Sequence, residues 1–253
     1  MKTRPSSGEA MSLWDHLDEL RSRLFKVSIA FILGSAVSWF FYDQILAWMV
    51  APLRRLPEAD QIVSKGKLIF TSPPEALFVR LKVVAFAGLV LALPVILWQL
   101  WRFITPGLYK HEKRLAVPFV FTSLVLFGIG GVLASYLLPK TVAVLVALGG
   151  SEFVLVPRAS EYLSFVLLLV VGFGATFEFP LVLIFLALAG VVTARKLRRG
   201  RKVAWVVALV VSAIVTPTAD PVTQLALAVP LGLLYELTIL VVHLLQRRRT
   251  AAE

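Results

Sequence analysis

The chain contains no cysteine, which excludes disulfide bonds, thiol catalysis and metal sites built on cysteine. Its three histidines, His16, His111 and His243, are scattered over three segments, so we expect no metal site. The sequence also lacks a Walker-type phosphate loop and a nucleophile elbow, and no spacing suggests a catalytic triad. These absences argue against an ATPase or an intramembrane protease, and we expect no catalytic residue and no cofactor.

Acidic residues are scarce: 15 Asp and Glu stand against 26 Lys and Arg, for a net charge of +11. In a soluble protein this excess would suggest a nucleic-acid partner. Here 58% of the residues are hydrophobic, above the roughly 45–50% of soluble domains. The bases flank apolar segments, so orientation in a bilayer explains them better. We therefore expect an integral membrane protein with no nucleic-acid partner. No cleavable signal peptide is predicted, because the first 24 residues contain acids and no hydrophobic core.

Six segments approach or exceed the roughly 20 apolar residues that cross a bilayer as a helix. They lie at about residues 25–50, 76–104, 115–138, 162–189, 203–215 and 222–245. The fifth is short and is closed by Thr216 and Pro217. We predict an all-α protein with one membrane domain over residues 1–253. It would consist of an N-terminal segment (1–24), a six-helix bundle (25–245) and a tail (246–253).

The distribution of Lys and Arg predicts the orientation. Eighteen of these bases lie in the termini and in the second and fourth connections, and six lie in the opposite loops. By the positive-inside rule, both termini are expected in the cytoplasm. Arg80 and Lys82 lie early in the second segment, where long side chains can reach the interface.

An acidic amphipathic stretch, residues 11–24, directly precedes the first span. Its leucines share one helical stripe, while Asp15, Asp18 and Glu19 line the other side. Carboxylates in a basic chain could attract a cationic ligand, but a solvated helix face is the simpler interpretation. Glu112 is the one acid in the basic segment between the second and third spans. Taken alone, it suggests exposed salt bridges.

Glu178 is the sharpest single candidate, because it lies deep in the fourth span within GFGATFEFP. A charge at that depth costs on the order of 2.5–3.5 kcal/mol, so the side chain should face protein or water. Pro180 removes a helical hydrogen bond beside it. It is either a functional acid or a carboxyl group hydrogen-bonded to a neighbouring helix. The same two interpretations apply to Glu236 in the sixth span. Gln99, near the inner end of the second span, suggests an interhelical hydrogen bond. Asp220 suggests a turn residue.

Several segments resemble the TatC family, the core subunits of twin-arginine protein translocases. The resemblance covers about residues 12–245 and rests on these motifs, in order: HLDELRSRL, SPPEALFVRLK, ALPVILWQLWRFITPGLYKHEKR, YLSFVLLLVVGFGATFEFP and TPTADPVTQLALAVPLGLLYE. It implies a concave bundle with short fifth and sixth helices. It also implies a multi-pass protein of the bacterial or archaeal cytoplasmic (inner) membrane.

The resemblance further implies a receptor for the twin-arginine signal peptides of folded cargo. It implies that the proton motive force drives the transport of that cargo. Glu19 and Glu112 match the acids of the family's signal-peptide-binding patch, and two carboxylates suit two guanidinium groups. Other matching positions in that region are Arg21, Phe103, Pro106 and Lys113. Glu178 matches a polar position implicated in contact with TatA or TatB helices. Pro52 and Asp220 match outer-loop positions that affect function.

The implied partners are TatA and/or TatB subunits, cargo signal peptides, membrane lipids and further copies of the chain. Two alternatives remain open from the residues alone. One is a small-solute or proton-coupled carrier that uses Glu178 as its ion site. The other is a structural membrane scaffold in which none of these acids matters.

Overall fold

The fold is that of a computed structural model, which describes residues 13–52, 68–104, 116–149, 158–216 and 221–250. Every regular element among these residues is a helix, and the one β-bridge, between Ile69 and Arg158, is isolated. The helices are α1 (Leu13–Phe40), α2 (Tyr42–Val50), α3 (Glu75–Ile104), α4 (Ala116–Gly149), α5 (Ala159–Phe177), α6 (Phe179–Leu188), α7 (Ala194–Arg199), α8 (Arg201–Val215) and α9 (Pro221–Thr250). The predicted all-α class is confirmed for the described residues.

Five helical stretches are long and apolar enough to cross a membrane. They lie in α1, α3, α4, in α5 with α6, and in α9. The predicted short fifth span corresponds to α8, whose 15 residues extend about 22 Å at roughly 1.5 Å per residue. That is shorter than the roughly 30 Å hydrocarbon core. Six spans with cytoplasmic termini therefore stay a prediction.

Three predicted boundaries differ from the structure. The acidic stretch and the first span form one continuous helix from Leu13, which breaks at Phe41 before the separate helix α2. The third span continues past Pro139 to Gly149, because residues 140–149 are mostly helix-compatible Ala, Val and Leu. Residues 139–149 of the predicted loop are therefore helical, and its apolar run 153–156 lies outside the described residues.

The sixth helix is not short, contrary to what the resemblance implied. Helix α9 has 30 residues, and Pro230 lies inside it without ending it. The apolar segment is followed by Gln246 and Arg247 rather than by glycine or proline, so no residue stops the helix there. Its apolar stretch, Thr223–Arg247, is itself 25 residues long.

Close backbone contacts hold the helices together. Helix α1 packs along α3 and α4 along α5, while α9 contacts α8 and α6. A Cβ atom added to Gly34 would lie 2.7 Å from the carbonyl oxygen of Gly88, so the α1–α3 crossing requires glycine there. Such small-residue contacts are typical of helix association in membranes. Leu163 and Phe173 of α5 are fully buried, which places this helix at the centre of the core.

Candidate functional site

The acid at the start of the first span lies in a polar cluster that we call the Glu19 site: Glu19, Arg23, Gln99 and the backbone carbonyl of Arg102. Glu19 and Arg23 are one helical turn apart on α1, and Arg23 Nε donates to Glu19 Oε1 at 3.1 Å. The same guanidinium donates to Gln99 Oε1 at 3.4 Å and to the Arg102 carbonyl at 3.0 Å. Arg23 thus ties α1 to the last turns of α3, and Gln99 is an interhelical hydrogen-bonding residue as predicted.

The Glu19 carboxylate is only half satisfied. Its Oε2 atom is buried and has no hydrogen-bond partner among the described residues. The side chain is 20% exposed and its partner Arg23 is 13% exposed, so the pair is largely withdrawn from water. Buried carboxylate oxygens normally accept hydrogen bonds, so Oε2 has the capacity to accept one more donor.

The other residues predicted for signal-peptide binding are only partly covered by the structure. Arg21 is exposed and lines a shallow groove on α1 with Asp18 and Phe25. Phe103 is half-buried in the last turn of α3. Pro106, Glu112 and Lys113 lie outside the described residues. The predicted pairing of Glu19 with Glu112 is therefore untested.

The second acid forms what we call the Glu178 site, at the one-residue break between α5 and α6. Pro180 follows the break at the start of α6, as its missing N–H predicts. The Ser123 hydroxyl on α4 donates to Glu178 Oε2, so this acid does face protein. Its Oε1 atom is buried without a hydrogen-bond partner among the described residues. Like Glu19, Glu178 has one oxygen available to a further donor.

Glu178 also borders a cavity of about 700 Å³ between α5, α6, α8 and α9. The lining is almost wholly apolar, and its polar side chains are those of Thr176, Glu178 and Tyr235. This volume falls within the roughly 300–1,000 Å³ of small-ligand sites. We call it the α8 cavity, because residues along the whole length of α8 line it.

The remaining predicted positions have simpler surroundings. Glu236 is about one-third exposed and pairs with Arg201, with 2.8 Å between the Glu236 carboxylate and the guanidinium. Pro52 is partly buried just after α2, and Asp220 lies outside the described residues. Within the described ranges, no three His, Asp or Glu side chains converge as metal ligands.

A third buried acid, Glu75, was not among the residues predicted from the sequence. Its Oε2 accepts from the Thr71 backbone N–H at 2.7 Å and the Thr71 hydroxyl at 3.0 Å, and its Oε1 accepts from the Ser160 N–H at 3.2 Å. Arg158 Nε donates to the Thr71 hydroxyl at 3.1 Å. We call this group the Glu75 junction. The sequence feature that could have indicated this residue is its position: Glu75 follows two prolines and lies in the first turn of a helix, where acids are stabilising.

Two bases in the second span are also engaged within the protein. The Arg80 guanidinium lies 4.3 Å from the Trp39 ring centroid and 4.8 Å from that of Tyr42, which is cation–π geometry. Lys82 Nζ donates to Ser160 and Ser164, each at 2.9 Å. Both side chains therefore bind neighbouring helices near the Glu75 junction.

Comparison with known proteins decides the family. The sequence model of the family described as TatC, Sec-independent protein translocase protein (TatC), matches residues 15–230. The chain belongs to the TatC family. A TatC of Aquifex aeolicus (strain VF5) is 41% identical over 243 residues, which cover 94% of this chain and 98% of that protein. One of Frankia casuarinae is 39% identical and covers 98% of this chain and 70% of that protein.

Solved structures agree with this assignment to the TatC family. A crystal structure of the twin arginine translocase receptor TatC is 40% identical, with a TM-score of 0.72, covering 90% of this chain and 98% of that one. A second, in DDM, has a TM-score of 0.74 and covers 99% of its chain. The sequence resemblance is thus confirmed. This chain is a multi-pass membrane component of the Sec-independent translocase, a transport subunit rather than an enzyme.

Proposed function

We propose that this TatC-family chain is the receptor and core subunit of a twin-arginine translocase. It binds the twin-arginine signal peptide of folded cargo at the Glu19 site, on the cytoplasmic face. The observation that carries the proposal is the buried Glu19 Oε2, which lacks a donor among the described residues. An arginine of the signal peptide would supply that donor.

The chemistry suits arginine better than lysine. A guanidinium presents N–H groups in a planar fork that matches a carboxylate, and it is more weakly hydrated than an ammonium. Arg23 already neutralises Oε1, so Glu19 alone offers a second guanidinium only its other oxygen. A further carboxylate is needed for the second signal arginine, and Glu112 is our candidate.

Chain connectivity allows Glu112 to reach the Glu19 site. Arg23 contacts the carbonyl of Arg102, two residues before the end of α3 at Ile104. Glu112 is the eighth residue after Ile104, and an extended chain of eight residues reaches about 27 Å. The two carboxylates can therefore bind one dipeptide from opposite sides, with Arg21, Phe103, Pro106 and Lys113 shaping the same patch.

The Glu178 site is our candidate for partner recruitment. A donor on a TatA- or TatB-type helix, lying across the mouth of the α8 cavity, would reach the unpartnered Oε1. Assembly with such helices and with further copies of this chain would complete a passage driven by the proton motive force. Pro52 and Asp220 remain candidates for a functional role in the outer loops.

Photocrosslinking in membranes tests the receptor proposal. A photoreactive residue placed beside the two arginines of a signal peptide should crosslink to residues 13–24 and 103–114. A matched peptide with two lysines should crosslink less, because an ammonium is more strongly hydrated and lacks the planar array of N–H donors of a guanidinium. The proposal is wrong if the arginine peptide crosslinks to neither segment.

A further inference from the structure

Six exposed bases crowd the connection between α7 and α8, and we call this group the basic corner. Its members are Arg195, Lys196, Arg198, Arg199, Arg201 and Lys202. Lys196 donates to the Val191 carbonyl at 3.4 Å, and Arg201 pairs with Glu236. The other four make no ion pair or hydrogen bond within the described part of the chain. Several like charges this close repel one another, and a bound anion would relieve that repulsion.

The basic corner is built on a fixed platform. Ala194 and Leu197 are buried against α9, while the charged side chains between them point outward. The Tyr235 hydroxyl donates to the Leu197 carbonyl at 2.9 Å, and Gln246 accepts from the Ala194 N–H at 3.1 Å. Thr193 caps α7 by accepting from the Lys196 N–H. These hydrogen bonds fix the backbone that carries the basic side chains.

One end of the α8 cavity lies at this corner. Its lining on α8 begins at Gly200, between Arg199 and Arg201, and continues along one helical stripe through Val203 and Ala204 to Val215. The stripe is about 22 Å long, more than half of the roughly 30 Å hydrocarbon core. An apolar groove long enough to extend beyond one leaflet thus ends at a concentrated positive charge.

We propose that the α8 cavity holds an acyl chain of an anionic phospholipid whose phosphate binds the basic corner. Guanidinium groups bind phosphate in bidentate fashion, and juxtamembrane bases attract anionic lipid. The charge complementarity selects an anionic over a zwitterionic headgroup. Glu236 does not oppose this, because Arg201 already neutralises it.

The lining of the cavity favours an acyl chain. Apart from Thr176, Glu178 and Tyr235, the residues that border the cavity are apolar, as burial of a hydrocarbon chain requires. The basic corner at one end supplies the positive charge that an anionic headgroup needs. A partner helix would lie across its mouth.

Native mass spectrometry of the full chain tests this site. The protein is extracted from vesicles of equal phosphatidylglycerol and phosphatidylcholine, and the retained lipids are counted. We expect phosphatidylglycerol to exceed phosphatidylcholine by at least roughly fivefold. Neutralising three unpaired bases (Arg198→Gln, Arg199→Gln and Lys202→Gln) should bring the ratio close to one. Ala204→Phe should do the same by filling the groove without changing the charge.

Val206→Phe is the matched control, because Val206 is exposed on α8 outside the cavity lining. It should retain the wild-type ratio. Ala204→Leu is a milder filling if the Phe variant does not elute as folded protein. Equal retention of the two lipids by the wild type overturns the proposal. The proposal is also overturned if the charge variant loses the preference for phosphatidylglycerol but Ala204→Phe keeps it. That result would indicate a diffuse attraction of anionic lipid to the bases. If Ala204→Phe weakens co-purification of a partner helix but leaves lipid retention unchanged, the groove binds protein, and the lipid proposal is also overturned.

Discussion

The Glu75 junction and the Glu19 site both bury a carboxylate near an arginine, but they satisfy it differently. Both oxygens of Glu75 accept hydrogen bonds, from three donors on two segments, and the residue is 5% exposed. Glu19 uses one oxygen for Arg23, and the other has no partner in the described part of the chain. Glu178 is like Glu19 in this respect.

The difference separates a structural acid from acids available for binding. Leaving a buried acceptor unsatisfied costs about 1–3 kcal/mol, and more for a charged group. A purely structural carboxylate would remove that cost with internal donors, as Glu75 does. A site that receives its donor from another molecule keeps the acceptor free until the complex forms. The unpartnered oxygens of Glu19 and Glu178 therefore support binding roles.

The largest effect is expected from Glu75→Ala. It removes all three hydrogen bonds and leaves the N–H groups of Thr71 and Ser160 without this acceptor. We expect most of the folded protein to be lost from membranes, measured as the monodisperse fraction after detergent extraction. The fraction that does fold should still bind a twin-arginine peptide.

Glu161→Ala is the matched control for this change. Glu161 pairs with Arg158 at 2.9 Å, but its side chain is 68% exposed. Exposed pairs contribute little to stability, so the folded fraction should stay at the wild-type level. Equal losses for Glu75→Ala and Glu161→Ala would show that the hydrogen bonds of the junction are not what holds these segments together.

The second largest effect is expected from Glu19→Ala on signal-peptide binding. Losing a charge-assisted hydrogen bond costs about 1.5–3 kcal/mol, so the affinity for a twin-arginine peptide should fall about 10- to 150-fold. Glu19→Gln keeps the shape and an acceptor oxygen and should lose less. Binding is measured by fluorescence anisotropy on detergent-solubilised protein.

Asp18→Asn controls for general charge, because Asp18 is the adjacent but exposed acid. It should leave peptide affinity within about twofold, since exposed charges are screened by salt. If Asp18→Asn and Glu19→Ala weaken binding equally, the acidic helix attracts the peptide only through its overall charge. The distinction between Glu75 as a structural acid and Glu19 as a ligand-binding acid would then be wrong.

Periodicity, charge and motif order were sufficient to predict the helical class and most span positions. They also predicted the loss of a helical hydrogen bond at Pro180, beside the observed break at Glu178, and the interhelical role of Gln99. They did not predict where α4 and α9 end. Pro139 indicated a stop, but α4 continues through the mostly apolar residues that follow it. After Leu245 the sequence becomes polar but contains no glycine or proline, and α9 continues to Thr250. Contacts between residues far apart in the sequence were even harder to predict. The donors to Glu75 come partly from Ser160, 85 residues away, and no local pattern encodes that contact.

A smaller effect is expected from Glu178→Ala on association with TatA-type helices. Interhelical polar contacts in membranes contribute about 0.6–1.7 kcal/mol, so co-purification should weaken about 3- to 15-fold. Ser123→Ala is the matched control: it removes the internal donor but keeps the Glu178 acceptor, so association should persist. If Glu178→Ala abolishes export while partner binding and peptide binding are unchanged, the acid serves ion movement, as the carrier alternative requires.

The smallest effect is expected from Arg201→Gln on stability. Arg201 and Glu236 are 50% and 34% exposed, so their ion pair resembles a surface pair and should contribute about 0.2–1 kcal/mol. The melting temperature, measured in detergent at low and at high salt, should change little, and the difference should shrink further at high salt. A loss comparable to that of Glu75→Ala would instead mean that this pair is a structural junction. Half-exposure would then be no guide to which of the chain's acids hold the fold together.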